Sequence, residues 1–373
     1  MRIVIFCHSL ASDWNHGNAH FLRGVCSELI ARGHEVSVHE PRDAWSAQNL
    51  VAEAGEPALD DYRAAYPHLR SVRYDPQRLD LDRALDDADL VLVHEWNPHD
   101  LVRRIGAKRA YGRRFTLLFH DTHHRSVSEP DAMAAYDLQH YDGVLAFGEV
   151  IRDRYEAQGW ARRAWTWHEA ADARVFRPFL PSEPSGDLVW IGNWGDDERS
   201  EELRQYLIGP IAELRLRSRV HGVRYPRPAR AELAAAGIDY AGWLPNYRAP
   251  RVFAQFRVTI HVPRRPYVEA LPGIPTIRVF EALACGIPLI SCWWNDCEGL
   301  FTDGRDFLMV RTPGEMRRAL RDVLSDPDLA AALAEHGRRT VLARHTCAHR
   351  VDELLAIVGA IRSDSDRRHV VSV

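Results

Sequence analysis

The 373-residue chain is short of cysteine, with six, and of methionine, with four. Cys7, Cys26, Cys285, Cys292, Cys297 and Cys347 stand apart, no two of them as Cys-x-x-Cys. That excludes a zinc ribbon and a thioredoxin-like centre. They read as reduced, small apolar residues, Cys7 in a first strand and Cys26 on the apolar face of a first helix. An excess of either charge is also missing, since 48 basic against 52 acidic side chains give a formal net charge of -4. A broad nucleic-acid binder usually carries a basic stripe, so no such partner is expected, though a small positive pocket is compatible with the balance. No apolar run approaches the roughly 20 residues needed to cross a bilayer, so no transmembrane segment is expected. Met1 to His8 turns polar too early for the core of a signal peptide and reads as a buried strand, which places the protein in the cytoplasm. No strand is followed by Gly-x-Gly-x-x-Gly and no Gly-Lys-Ser/Thr occurs, which argues against a dinucleotide dehydrogenase and a P-loop NTPase.

What is present is alternation, in a chain long enough for two domains. Ile3 to Cys7 is a continuous apolar run, as in a strand covered on both faces. A helix-spaced stripe of Phe21, Leu22, Val25, Cys26, Leu29 and Ile30 follows, stopped by Gly33, and Glu35 to Val38 begins the next strand. Further strands are predicted at Asp89 to Val93, Phe115 to Phe119 and Gly143 to Phe147. Pro178 to Gly186 holds three prolines and reads as a linker. A second alternation places strands at Leu188 to Ile191, Arg219 to Val220, Asp239 to Tyr240, Val258 to Val262 and Pro288 to Ser291. The expected organisation is α/β, with two doubly wound domains at 1–180 and 186–345. A terminal helix at 346–362 packs back on the first domain and a flexible tail covers 363–373.

The chain is rich in histidine, with nineteen, and tryptophan, with eleven, and polar and aromatic residues gather just past the predicted strands. The clusters are Trp14-Asn15-His16-Gly17-Asn18, His94-Glu95-Trp96-Asn97, His120-Asp121-Thr122-His123-His124, Gly192-Asn193-Trp194-Gly195 and Pro263-Arg264-Arg265. In open α/β sheets the carboxyl edge is where ligands bind, and two such edges facing each other would enclose a cleft. Trp293-Trp294 follows a strand as well, either to stack on a base or sugar or as an apolar lid. Arg103, Arg104, Lys108, Arg109, Arg113 and Arg114 read as a solvated face, with attraction to an anionic acceptor or a membrane surface as the other reading.

The segment from Arg264 to Gly286 carries the sharpest signal. Pro275 suits a first helical position and Gly286 a helix end. The first turn, behind Gly273, then offers the N–H groups of Thr276 and Ile277 to an anion. Arg278 sits where the helix dipole disfavours a cation unless an anion is near. Glu281 lies about 9 Å further along the axis at about 1.5 Å per residue, a spread that fits a nucleoside diphosphate. The same spacing fits an amphipathic helix with a solvated Arg278–Glu281 salt bridge.

Arg278-Val-Phe-Glu281-Ala-Leu-Ala-Cys-Gly286-Ile-Pro288 resembles the donor-binding motif of GT-B glycosyltransferases. More narrowly, it is similar to the CgeB-like (spore maturation type) branch near family 4. Trp167-His168-Glu169, Ile191-Gly192-Asn193-Trp194-Gly195 with Arg199, and His345-Thr346-Cys347-Ala348-His349-Arg350 extend the likeness over most of the chain. The resemblance implies two facing Rossmann-like domains and a hexosyltransferase-type enzyme using a nucleotide sugar, UDP favoured, with retention favoured. It implies no cofactor and no metal, and an acceptor that is a saccharide, a protein or a small molecule. Glu281 is then the ribose contact, with the Pro275 helix start on the diphosphate. Gly273 stands where family 4 enzymes usually carry a second glutamate, so backbone groups of Gly273 and Ile274 take its place. Asn193 replaces the first member of a basic pair, Arg199 supplies the second, and Arg264 or Arg265 restores the charge. His120 matches the active-site histidine.

The chemistry fits this assignment. Losing a nucleoside diphosphate leaves negative charge that fixed cations and N–H dipoles stabilise, so Arg199, Arg265, Gly273, Thr276 and Arg278 are assigned to the leaving group. Asn193 and Trp194 form the donor-domain loop. His120, Asp121 and His16 are the catalytic candidates, since a histidine titrates near working pH, and Trp14, Asn18 and Glu95 are placed on the acceptor side. The His120–His124 cluster also admits structural hydrogen bonding or a metal site. A nucleotide-sugar epimerase and a non-catalytic nucleotide-sugar sensor are the competing functions.

Overall fold

The structure is a computed structural model that describes residues 1–112, 114–179 and 184–371. It divides into two compact units, Met1–Glu169 with Cys347–Val373, and Ala170–Thr346. The first unit carries β1 (Arg2–Phe6), β2 (Glu35–Pro41), β3 (Ser71–Tyr74), β4 (Leu90–His94), β5 (Thr116–Asp121), β6 (Gly143–Ala146) and β7 (Ala164–Thr166). The second carries β8 (Gly186–Ile191), β9 (Ser218–His221), β10 (Asp239–Tyr240), β11 (Phe256–His261), β12 (Leu289–Cys292) and β13 (Leu308–Val310). Apolar runs such as Ile3-Val4-Ile5-Phe6 become central strands because helices cover both faces, and every residue of β4 and β5 is buried.

The sheets are parallel, with orders β3-β2-β1-β4-β5-β6-β7 and β10-β9-β8-β11-β12-β13. In each, the chain grows outward in one direction and then returns to grow in the other. This puts a switch point between β1 and β4 in the first unit, and between β8 and β11 in the second. The strands the sequence did not predict, β3, β7 and β13, are all at sheet edges and only three or four residues long. That is too short for a period to declare itself.

Part of the predicted linker, Leu180 to Glu183, lies outside the described residues. The last helix runs Cys347–Val371, past the Ser363 at which a tail was expected, and packs on the Ala19–Ala31 helix of the first unit. Five cysteines are buried as expected and Cys297 is exposed. In the basic run, Arg103 and Arg104 pair with Asp100, Lys108 with Asp82 and Arg109 with Asp142. Much of its charge is therefore neutralised locally; Arg113 lies outside the described residues.

The helix Ile277–Cys285 packs Val279, Phe280 and Leu283 into a core with Phe253, Phe301, Phe307 and Val341. Gly286, left-handed at φ +68°, ends it as predicted. It lies against the helix Pro327–Arg344 at Gly337, where an added Cβ would stand 2.5 Å from the Asp306 carbonyl and 2.7 Å from Leu283 Cδ2. Gly337→Ala is therefore expected to destabilise the second unit by about 1–3 kcal/mol, read by urea denaturation. A neutral result would contradict this close helix contact.

Candidate functional site

In the second unit the polar side chains converge at the switch point. Arg199 follows a short 3-10 turn after β8 and is 9% exposed. Its guanidinium donates to the Asn193 carbonyl beyond β8 at 2.5 Å and to the Val262 carbonyl beyond β11 at 2.9 Å. It thus ties together the two strands that flank the switch point, with Trp190 beneath it at 5.2 Å. Burial, then the neighbouring Arg264 and Arg278 charges, lower its pKa to about 9. Arg264 is matched by Glu198 at 2.6 Å and Arg278 by Glu281. Arg199 pairs with no carboxylate among the described residues, and its Nε is buried without a partner. Such a group favours an incoming anion.

Next to it the helix Ile277–Cys285 begins. Thr276 is its N-cap, so the helix starts two residues later than Pro275, and the open first-turn amides belong to Ile277 and Arg278. The Thr276 side chain makes no capping bond. A hydrogen-bond chain explains why. The Ser291 hydroxyl donates its one hydrogen to the Cys292 carbonyl at 2.7 Å, so it accepts from His261 Nδ1 at 2.9 Å. His261 Nε2 is then the acceptor, and the Thr276 hydroxyl donates to it at 3.0 Å. Burial, then Arg199 and Arg278, lower His261 to about 3, so this neutral tautomer persists at neutral pH. The chain turns the Thr276 hydroxyl toward the sheet and leaves the amides available.

Several sequence assignments need correction here. Trp194 is buried in the core with Tyr225 at 5.4 Å and does not face a ligand. Asn193 holds the Val223 amide through Oδ1 at 2.9 Å while its carbonyl holds Arg199. Arg265 is bonded to Glu202 and to the Asp197 carbonyl, so Arg264 is the arginine that joins the guanidinium cluster. Gly273 donates its N–H to the Asn295 carbonyl at 2.6 Å and offers no amide to an anion. At φ +86° it is left-handed, and a side chain there would overlap the Glu298 carboxylate. Glu281 is wholly buried, and its partner Arg278 is only 15% exposed, so the pair is not the solvated bridge that the spacing allowed.

The first unit gathers histidines at its own switch point. His94 and His120 are register partners at the ends of β4 and β5, with ring centroids 4.5 Å apart. Trp167 packs on His120 at 4.8 Å and Phe21 at 6.0 Å. His16 stands close enough to His8 and His94 for their charges to affect it. Both nitrogens of His94, and Nε2 of His16 and His120, are buried without a hydrogen-bond partner. Burial lowers His120 to about 3 and takes His94 and His16 well below the usual histidine value. His120 therefore does not titrate near working pH; it is a neutral hydrogen-bonding group. His94, not among the predicted site residues, was visible only as the last residue of a strand facing another histidine.

Beside them lie two buried carboxyls. Glu95 Oε1 accepts from Thr122 N at 3.0 Å and Oγ1 at 3.1 Å, and Asp121 Oδ1 accepts from His123 N at 3.2 Å. Burial raises Asp121 to about 7, and burial plus Asp121 raises Glu95 well above its usual range. Glu95 is fully buried rather than exposed to an acceptor. Asn18 is bonded to Glu169 at 2.8 Å, and Trp14 donates to Glu53 at 2.6 Å at the surface. Among the described residues no group of three His, Cys, Asp or Glu side chains is placed to hold a metal ion.

Residues 199–356 match the family described as Glycosyl transferase-like. No curated protein sequence matches the chain. Sucrose-phosphate synthase from Thermosynechococcus elongatus superposes with a TM-score of 0.69 at 14% identity, covering 98% of this chain and 100% of that one. HepE of Anabaena, in complex with UDP and glucose, gives 0.67 at 13% identity over 96% and 99%. An α-glucosyltransferase in complex with UDP and a 13-mer DNA containing an HMU base gives 0.69 at 12% over 96% and 99%. The fold is GT-B.

In this GT-B chain the tautomer argument has a direct test. His261→Phe frees the Thr276 hydroxyl to cap its own helix, and pyrophosphate affinity by calorimetry is expected to fall about tenfold. Adding Thr276→Ala removes the competing cap and is expected to restore it. Equal affinity in wild type and His261→Phe would remove the role of the chain. The buried histidines make a second expectation. His8, His39, His120, His221 and His261 are all lowered to about 3 or 4. Their stabilisation is present above the unfolded value of about 6.5 and lost as pH falls toward the folded values. Asp121, raised to about 7, works in the opposite sense, contributing at low pH and losing that contribution as pH rises through about 7. The histidines outnumber it, so the melting temperature is expected to fall steeply from pH 7 to 5; a flat profile would contradict their burial as neutral rings.

Proposed function

We propose that the chain is a glycosyltransferase that moves a sugar from a UDP-sugar to a hydroxyl acceptor, without a metal and with retention favoured, close to the CgeB-like branch and family 4. The observation that carries this reading is the open start of the Ile277–Cys285 helix beside Arg199, a buried cation with no carboxylate partner among the described residues. The Glycosyl transferase-like match begins at Arg199 and includes that helix. UDP is favoured because HepE and the α-glucosyltransferase are both seen with it.

In the proposed reaction the bond from the sugar carbon to the diphosphate oxygen breaks, and the acceptor oxygen forms the new bond. The Ile277 and Arg278 amides, Arg199 and Arg264 stabilise the charge left on the diphosphate without reorganising. Arg278, held by Glu281, adds a further charge, and Glu281 keeps register toward the ribose. Glu298, over Gly273, supplies the carboxylate that the family 4 pattern takes from the position of Gly273. In the first unit His16, His94 and His120 orient the acceptor hydroxyl as neutral partners. With His120 at about 3, they are weak proton acceptors, so the hydroxyl proton passes to the departing diphosphate.

The test is UDP affinity and UDP release from a panel of UDP-sugars, in wild type and Glu281→Ala. The variant leaves Arg278 buried without its partner, and both quantities are expected to fall by about tenfold or more. A variant that keeps both affinity and turnover would overturn the assignment.

A further inference from the structure

A pocket of about 300 Å³ opens in the second unit at the carboxyl ends of β11, β12 and β13. Its floor is apolar, formed by Val262, Cys292 and Val310. One wall is the short helix Arg265–Glu269, with Val268 facing in; the other is the helical stretch from Ser200 to Ile208 that carries Glu202 and Tyr206. Trp293 closes the rim, with the Arg311 guanidinium 4.5 Å from its ring centroid. Tyr206 donates to the Arg311 carbonyl at 2.8 Å and holds that side. Of these residues, Val262 and Cys292 meet the Arg199–Thr276 cluster, each through its backbone carbonyl.

Two features define what would bind. Glu202 Oε1 accepts from Arg265 Nε at 2.9 Å, whereas Oε2 is buried without a hydrogen-bond partner. A buried carboxylate oxygen in that state is destabilising until a donor reaches it. Because Arg265 already balances the charge of Glu202, and the lining carries two guanidiniums, Arg265 and Arg311, against two carboxylates, Glu202 and Glu269, the pocket calls for a neutral donor and not for an ammonium. A hydroxyl meets that requirement. The apolar floor and Trp293 call for a C–H face on the same molecule. The volume is at the low end of small-molecule sites and equals roughly ten waters at about 30 Å³ each, which suits one ring.

We propose that this pocket binds a neutral pyranose ring, with a ring hydroxyl donating to Glu202 Oε2 and its C–H face on Trp293 and the valine floor. It is a saccharide subsite separate from the diphosphate site, and it does not depend on nucleotide binding. It also separates the two adjacent tryptophans. Trp294 is 1% exposed in the core, the apolar role, while Trp293 is the stacking residue.

The experiment is saturation-transfer NMR on the full chain with methyl glucoside, mannoside and galactoside, and with uridine as an aromatic control. Transfer to the ring protons of at least one glycoside is expected in wild type, unchanged by saturating UDP. Val268→Trp, which fills the pocket from a partly exposed wall, is expected to weaken binding by more than about tenfold. Glu202→Ala is expected to do the same by removing the acceptor, and it covers the case in which the tryptophan variant does not fold. UDP affinity should stay within about twofold in both. No transfer to any glycoside, transfer that survives both substitutions, or uridine alone sensitive to them would each overturn the proposal. Loss of UDP binding in wild type would count against the nucleotide reading only.

Discussion

The second unit depends on a buried guanidinium that holds two strand ends together. Arg199 reaches the carbonyls of Asn193 and Val262, one beyond each strand at the switch point. A lysine could not replace this arrangement, because it needs a planar fork with donors in two directions. Burial, and after it the like charges nearby, lower its pKa to about 9, so the cation is retained at neutral pH at an electrostatic cost. That cost falls when an anion arrives. On the proposed reading, the site is held in a state that a diphosphate relieves.

The His261 chain depends on the same crowding. A protonated His261 would carry a hydrogen on both ring nitrogens, and the Thr276 hydroxyl could no longer donate to Nε2. Burial and the two arginines prevent that protonation, so the cluster that wants an anion also keeps the helix start open to receive it. The first unit uses the opposite electrostatics. Its switch point is lined by uncharged imidazoles and by carboxyls with raised pKa values, a surface suited to hydroxyl groups more than to phosphate.

The alternation of apolar runs and helical stripes made both sheets legible, apart from edge strands of three or four residues. The Arg264–Gly286 segment was also legible, because its proline, glycine, arginine and glutamate are neighbours along one short stretch. Its start was misplaced by two residues because Pro275 suits a first helical position, whereas Thr276 is bonded to a histidine from another strand. Trp194 was misread because polarity next to Asn193 does not reveal which way an indole turns. Gly273 was misread because its amide partner, Asn295, lies after a later strand. His94, the role of His261 and the tie that Arg199 makes between two strand ends depend on register between strands or on loops brought together across the sheet, which no local pattern encodes.

The most direct test of the account follows the backbone amides of Ile277 and Arg278, and the Nε of Arg199, by two-dimensional nitrogen–proton NMR as UDP is added. The account expects the largest shifts at these three groups, saturating together with the binding isotherm. Saturable UDP binding that leaves all three unmoved would contradict it, because the diphosphate would then lie somewhere other than the open helix start.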